Sequence, residues 1–212
     1  MFRMLKSYRI VFIKPNHGDG GAGIIRVKRK QGRYVVRYGS LRRVVSSGAL
    51  YNTVRSFRNR ADRYLIQRGV RLARYQGRIF DVRVYLQKPH AEWSISGMTA
   101  RVAAPRLYVT NYQKGGHARP LGKVLKHLYR NKRKAMERIH QISALSLLIA
   151  ETVQKRRPTR ETGVDLGIDR SGRIWIIEAN SKPGHMLFTQ LPDKTMLRTI
   201  MRNKHLIRKL NP

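Results

Sequence analysis

One stretch of the sequence, ETGVDLGIDRSGRIWIIEANSKPG over residues 161–184, constrains the fold of this chain more than any other. Two runs with period-two alternation flank an Arg-Ser-Gly turn, and this pattern is typical of a β-hairpin. We predict strands over residues 164–169 and 173–180. On the first strand, valine, leucine and isoleucine fill one face, and the aspartates and a glycine lie on the other.

The predicted hairpin gathers polar side chains on one face. Closing it on the Ser-Gly turn sets Asp165 across from Glu178, with Asn180 two residues farther along. Strict alternation sends three other residues of the second strand to the opposite face: Trp175, Ile177 and Ala179. Facing carboxylates destabilise a sheet, so this pair beside an amide oxygen favours a hard divalent cation such as Mg²⁺. The simple alternative is a solvated hairpin face, although the chain has only 11 acidic residues and two of them meet here.

A glycine-rich loop follows the first predicted strand, residues 9–15. Lys14 stands at the end of that strand, just before the loop at residues 16–23, and further strands are predicted over 24–30 and 34–38. Glycine lets backbone N–H groups approach phosphate oxygens closely, and a lysine adds positive charge. The loop lacks the GK[ST] signature and no helix follows it, so it is not a Walker loop. A plain connection is the alternative interpretation.

The cleanest alternation of the chain lies at residues 79–87. Four apolar residues face one side of this predicted strand, and Asp81 and Arg83 project to the other. A solvated ion pair within one strand is the simple interpretation.

Taken together, these segments resemble the ATP-grasp superfamily. The DxGxD strand, the apolar strand ending in E-x-N and the K-P-G exit are similar to the C-terminal metal hairpin of ATP-grasp ligases. The segment EANSKPG and the upstream segment ARYQGRIFDVRVYLQK are most similar to the YheC/YheD-like, endospore coat-associated branch. The resemblance implies an α+β fold of two lobes, residues 1–68 and 69–212, whose antiparallel sheets hold ATP between them. An additional N-terminal lobe, usual in such enzymes, is expected to be missing.

The resemblance also implies roles for individual residues. Asp165, Glu178 and Asn180 would hold Mg²⁺ or Mn²⁺, and Arg83 and Arg101 would offset charge on the transferring phosphate. The residues implied in nucleotide binding are Lys14, Gly18, Gly20, Gly21, Gln67, Val70, Asp81 and Asn111.

The function implied by the resemblance is an ATP-dependent carboxylate–amine ligase. A carboxylate is a poor acyl donor, so γ-phosphoryl transfer first makes an acylphosphate, which an amine then attacks. The alternative is a non-catalytic spore-coat-associated structural or polyanion-binding protein that keeps the fold. A basic nucleic-acid binder is a third hypothesis, and it rests on net charge alone.

The net charge of the chain indicates the kind of partner that it would attract. The chain carries 46 Lys and Arg against 11 Asp and Glu, a formal +35, and such a field attracts polyanions of any kind. We expect an acidic polypeptide as a partner and nucleic acid only as a non-specific one.

The absence of cysteine excludes thiolate sites. No apolar run approaches the roughly 18 residues of a membrane span, and the start lacks a signal peptide. We therefore expect a cytoplasmic or spore-coat-associated protein that is not secreted.

Overall fold

Two antiparallel sheets, each with its own hydrophobic core, form the framework of the chain. The computed structural model describes residues 1–16, 21–59, 62–111 and 115–210. The chain divides into two units, Met1–Val70 and Arg71–Pro212. The predicted α+β class is confirmed. No helix in the described ranges is long and apolar enough to cross a membrane.

The first unit is a five-stranded antiparallel sheet in the order β4-β3-β2-β1-β5, with helices on one face. Its elements are α1 Phe2–Ser7, β1 Ile10–Pro15, β2 Ile25–Lys30, β3 Arg33–Tyr38, β4 Leu41–Val45, α2 Ser47–Ser56 and β5 Tyr64–Arg68. Alternate residues of the inner strands are apolar, so one face packs against the two helices. Val11, Val27 and Leu50 are fully buried in that core.

The second unit contains the larger sheet, in the order β11-β10-β7-β8-β9, with the short β6 paired to β7. Its elements are β6 Arg74–Tyr75, β7 Arg78–Gln87, β8 Ser94–Val102, β9 His117–Pro120, α3 Leu121–Tyr129, α4 Lys132–Arg156, β10 Glu161–Ile168, β11 Ile174–Asn180, a 3-10 helix Met186–Gln190 and α5 Thr195–Leu210. The apolar face, which includes Val82 and Leu166, packs against α3 and α4. The opposite face is polar along β7 and β10.

One end of the polar face is covered by the 3-10 helix and α5. Tyr85, Phe188 and Ile200 form a small separate core there. Gly97 on β8 makes this packing possible, because a β-carbon at that position would lie 2.6 Å from Cε1 of Phe188. The other end of the same face is left for the charged residues of β7, β8 and β10.

The turn between β10 and β11 is closed by the carboxylate of Asp169. Its Oδ1 accepts hydrogen bonds from the N–H and hydroxyl of Ser171 and from the N–H of Arg173, and its Oδ2 accepts from Nε1 of Trp175 at 2.8 Å. Gly172 takes a φ of +85°, which suits glycine in such a turn. Burial alone would raise the pKa of Asp169, but the hydrogen bonds from Ser171 and Trp175 outweigh burial and lower it.

We expect Asp169→Ala to lower the free energy of unfolding by about 1–2 kcal/mol, because several donors lose a charged acceptor. Since the folded pKa is lowered, the stabilisation should be complete above the unfolded pKa of about 3.9 and fade as the pH falls below it. Urea unfolding at neutral and acidic pH measures this, with the exposed Glu92→Ala as control. A difference between wild type and Asp169→Ala that persists unchanged at low pH would contradict the assignment.

Candidate functional site

The candidate site lies on the polar face of the second sheet, where the strand register brings four predicted residues together. Asp81 on β7 pairs with Arg101 on β8, and Arg83 on β7 pairs with Asp165 on β10. Residues that pair directly in an antiparallel ladder project to the same side. Asp81 and Arg83 are two residues apart on one strand, so all four side chains share one face.

Arg101 joins two carboxylates. Its Nε and Nη2 donate to the two oxygens of Asp81 at 2.9 and 2.7 Å, and Nη2 also donates to Oδ2 of Asp165 at 2.8 Å. All three side chains are buried. Burial alone would lower the pKa of Arg101, but the charges of Asp81 and Asp165 more than offset it and raise the pKa. Arg101 is therefore a permanent cation that fixes the positions of both aspartates.

Arg83 contacts Asp165 from the other side. Its Nη2 donates to Oδ2 at 3.0 Å, and its Nε lies 2.6 Å from Oδ1. The second contact is an ion pair without hydrogen-bond geometry, because Nε and Oδ1 are both buried atoms that lack a hydrogen-bond partner in the described structure. The interpretation of Asp81 and Arg83 as a solvated pair within one strand is wrong, since each pairs with a residue of a neighbouring strand and Asp81 is buried.

Asp165 is consequently an ionised carboxylate between two guanidinium groups. Burial alone would raise the pKa of Asp165, but Arg101 and then Arg83 reverse the effect and lower it. An ionised carboxylate is the form that a cation requires of its ligand. A divalent ion at Asp165 would have to replace at least part of its contact with an arginine.

A β-bulge brings Glu178 and Asn180 onto the face of Asp165. The structure pairs Asp165 with Glu178 and Gly163 with Asn180, and the register shifts by one residue between Asp165 and Leu166. The pairing of Asp165 with Glu178 is as predicted. Strict alternation predicted that Trp175 and Glu178 lie on opposite faces of the hairpin. That prediction is wrong, because Trp175 pairs with Gly167 and so lies on the same face as Asp165 and Glu178. The extra residue of the bulge resets the alternation in between.

The donor atoms on this face suit a hard cation. Asn180 Oδ1 and Asp165 Oδ1 are buried oxygens that accept no hydrogen bond from the described residues, and Glu178 is exposed across from Asp165. Gly163 leaves room beside them: a β-carbon there would lie 3.1 Å from Arg83 Nη1 and 3.2 Å from Asn180 Oδ1. No three His, Cys, Asp or Glu side chains of the described ranges converge as metal ligands, so an amide oxygen would complete the set.

Thr110 belongs to the cluster, and the residue of this loop that was predicted to bind nucleotide is its neighbour Asn111. The hydroxyl of Thr110 donates to Oδ2 of Asp81 and is buried with it. Asn111 instead uses its main-chain carbonyl, which accepts from the N–H of Gly116 at 3.0 Å. In the sequence, the adjacent residues Thr110 and Asn111 indicate a polar position in this loop. Which of the two contacts Asp81 depends on the position of the loop against β7.

A second network on the same face was missed. The hydroxyl of Tyr85 lies 3.0 Å from Oε1 of Glu161 and 3.1 Å from the carbonyl oxygen of Pro183, and these two acceptors share its single proton. Gln87 donates to Glu161 and to the carbonyl of Ile200. These bonds hold the segment that follows Asn180 against β7 and β10. Tyr85 and Gln87 continue the alternation of Asp81 and Arg83, which was the signal in the sequence.

The remaining predicted residues belong to the first unit. Lys14 lies near the end of β1 across from Leu65, and Gln67 lies on β5 across from Phe12. Gly21 has a φ of +73°, and Val70 ends the unit. Gly18 and Gly20 lie outside the described residues. The nucleotide-binding roles of these residues stay predictions.

Comparison with known proteins adds a family and a fold. A family model described as YheC/D-like ATP-grasp matches residues 1–206. The endospore coat-associated protein YheD of Bacillus subtilis is 30% identical over 193 residues, which cover 86% of this chain and 41% of YheD. The chain therefore spans less than half the length of that relative.

Two solved structures share the fold at low identity. D-cycloserine synthetase DcsG matches with a TM-score of 0.54 and 14% identity, over 97% of this chain and 58% of that one. D-alanyl-alanine synthetase A from Vibrio cholerae matches with a TM-score of 0.54 and 12% identity, over 97% and 54% respectively. At such identity the likeness concerns the ATP-grasp fold alone.

Proposed function

Because this chain belongs to the YheC/D-like ATP-grasp family, we propose that it is an ATP-dependent carboxylate–amine ligase that acts through an acylphosphate. A substrate carboxylate oxygen attacks the γ-phosphorus of ATP and ADP leaves. The amine nitrogen then attacks the acyl carbon, phosphate leaves and the amine proton passes to solvent. The observation that carries the proposal is the buried Asp165, ionised between two arginines and paired with Glu178.

The residues of the chain would act mainly through charge. Arg83 and Arg101 are fixed cations on one face of the second sheet, and such groups stabilise charge that develops on transferred oxygens. Lys14, near the end of β1, is proposed to contact the phosphates of ATP. Asp165, Glu178 and Asn180 are the residues that would hold Mg²⁺, which when bound supplies Lewis acidity and shields phosphate charge.

An acidic polypeptide is the proposed acceptor class. With 46 basic and 11 acidic residues, the protein would attract an acidic chain and release it more readily as salt rises. Similarity to an endospore coat-associated protein favours a second candidate, a spore-coat-associated protein that keeps the fold without turnover. ADP release that requires both a carboxylate and an amine would distinguish the ligase from this alternative.

Nucleotide binding tests the proposed site directly. We expect Mg²⁺ to raise the affinity of the protein for ATP. In Glu178→Ala this Mg²⁺-dependent increase in affinity should be smaller by a factor of about ten or more, because one anionic ligand of the ion is lost. Isothermal titration with and without Mg²⁺ measures the effect. Glu151→Ala removes the same group from an exposed position on α4 and should behave as wild type. Equal Mg²⁺ dependence in wild type and Glu178→Ala would remove Glu178 from the proposed site.

A further inference from the structure

Pro183 fills a gap in the polar face of the second sheet. Gly163 on β10 pairs with Tyr85 on β7 and with Asn180 on β11, so these three residues form a row across that face. The middle position of the row has no side chain. Pro183 packs there, since a β-carbon at Gly163 would lie 2.7 Å from Cβ of Pro183. The segment that follows β11 therefore turns back over the neighbouring strand.

The proposed metal ligand Asn180 depends on that segment for its position. β11 ends at Asn180, so the strand ladder fixes the main chain on one side of this residue only. Oδ1 of Asn180 is buried and accepts no hydrogen bond from the described residues. Only two residues separate Asn180 from Pro183, so a displacement of Pro183 would shift the amide group as well.

Tyr85 contacts this segment at the carbonyl of Pro183. The side chain of Tyr85 is fully buried, and its hydroxyl lies between the carbonyl oxygen of Pro183 and Oε1 of Glu161. Because the two acceptors share one proton, the hydroxyl links the segment to β10. Burial, and then the charge and the hydrogen bond of Glu161, raise the pKa of Tyr85. The hydroxyl therefore keeps its proton and remains a hydrogen-bond donor.

The ring of Tyr85 has a separate role in packing. It lies edge-on to the ring of Phe188, with the two ring centres 6.0 Å apart, and both belong to the small core under the 3-10 helix and α5. A phenylalanine at this position would preserve that contact, because only the ring takes part in it. Packing alone therefore accounts for the ring but not for the hydroxyl, whose two acceptors lie on the segment and on β10.

We propose that Tyr85 is a positioning residue, whose hydroxyl holds Pro183 and thereby fixes the amide group of Asn180. The two buried oxygens that accept no hydrogen bond from the described residues, Oδ1 of Asn180 and Oδ1 of Asp165, then stay available to one divalent cation. This inference rests on the metal site of the proposed function and adds a residue outside its ligand set. Removing a group that supports metal ligands commonly lowers metal affinity by about tenfold to a hundredfold.

Mn²⁺ binding in the absence of nucleotide tests the role of the hydroxyl. We expect Tyr85→Phe to weaken Mn²⁺ binding about tenfold, because the ring stays and the link to Pro183 is lost. Electron paramagnetic resonance of free Mn²⁺ measures the affinity, at a temperature where every variant is folded. Tyr129→Phe should bind as the wild type does, since the hydroxyl of Tyr129 is buried and has no hydrogen-bond partner among the described residues. Equal affinity of the two variants would overturn the proposal.

A double-mutant cycle shows whether the effect of Tyr85 passes through Asn180. In the background of Asn180→Ala the amide oxygen is already lost, so Tyr85→Phe should weaken Mn²⁺ binding further by less than about twofold. A purely structural role would give the same loss in both backgrounds, and that result would overturn the proposal. Absence of Mn²⁺ binding by the wild type would contradict the metal site of the proposed function, and this inference with it. Mn²⁺ binding by the wild type that Tyr85→Phe retains in full would contradict this inference alone.

Discussion

Replacing Arg101 with methionine is expected to lower the free energy of unfolding of the protein by about 3–5 kcal/mol. Arg101 is buried and donates to Asp81 and Asp165 at the same time. Without it, Asp165 keeps its contact with Arg83, whereas Asp81 keeps the hydrogen bond from the Thr110 hydroxyl and loses its cation. Leaving a buried carboxylate without a compensating cation costs more free energy than the lost hydrogen bonds contributed to stability.

A second variant shows whether charge or packing causes the loss. Asp81→Leu/Arg101→Met removes the carboxylate together with its cation, and it should be more stable than Arg101→Met alone because no uncompensated charge remains at Asp81. Arg133→Met serves as the control, since Arg133 forms an exposed pair with Glu137 and should cost at most about 0.5 kcal/mol. Urea unfolding measures all three. A double variant less stable than Arg101→Met would show that side-chain packing dominates.

The sequence predicted those parts of the site that local alternation controls. The hairpin has one face buried under α4, and the pairing of Asp165 with Glu178 agrees with the predicted closure on the Ser-Gly turn. Between the turn and Leu166, however, the strands pair one residue away from the predicted register, and the bulge compensates for this difference. The bulge could not be predicted. Ile177 and Leu72 pack over Gly167, where a β-carbon would lie 3.2 and 2.6 Å from their side chains. That packing depends on a segment distant in sequence.

The part of the site that could not be predicted from the sequence is mainly the set of contacts between different strands. Alternation placed Asp81 and Arg83 on one face of β7 but could not identify their partners, which the neighbours β8 and β10 supply. β4 was missed for a different reason. Its sequence, Leu-Arg-Arg-Val-Val, has no period-two pattern, and an edge strand exposed over most of its length needs none.

The interaction of Arg83 with Asp165 leads to the prediction that removing Arg83 raises the affinity of the protein for a metal ion. We expect Arg83→Gln to raise the affinity of the protein for Mn²⁺, in the absence of nucleotide, by about tenfold to a hundredfold. In the wild type, a cation at Asp165 competes with a guanidinium whose Nε lies 2.6 Å from Oδ1. The variant removes that competitor and leaves Asp165 ionised beside Arg101. Electron paramagnetic resonance of free Mn²⁺ measures the affinity.

The same substitution should reduce ligation, because Arg83 is also proposed to offset charge on the transferring phosphate. Tighter metal binding with slower turnover is a combination that general misfolding does not produce. Arg170→Gln removes an equal charge from the exposed turn of the same hairpin, and it should change Mn²⁺ affinity less than twofold. If Arg83→Gln binds Mn²⁺ no better than Arg170→Gln does, the guanidinium does not compete for Asp165. If none of the three proteins binds Mn²⁺, the metal site itself is wrong.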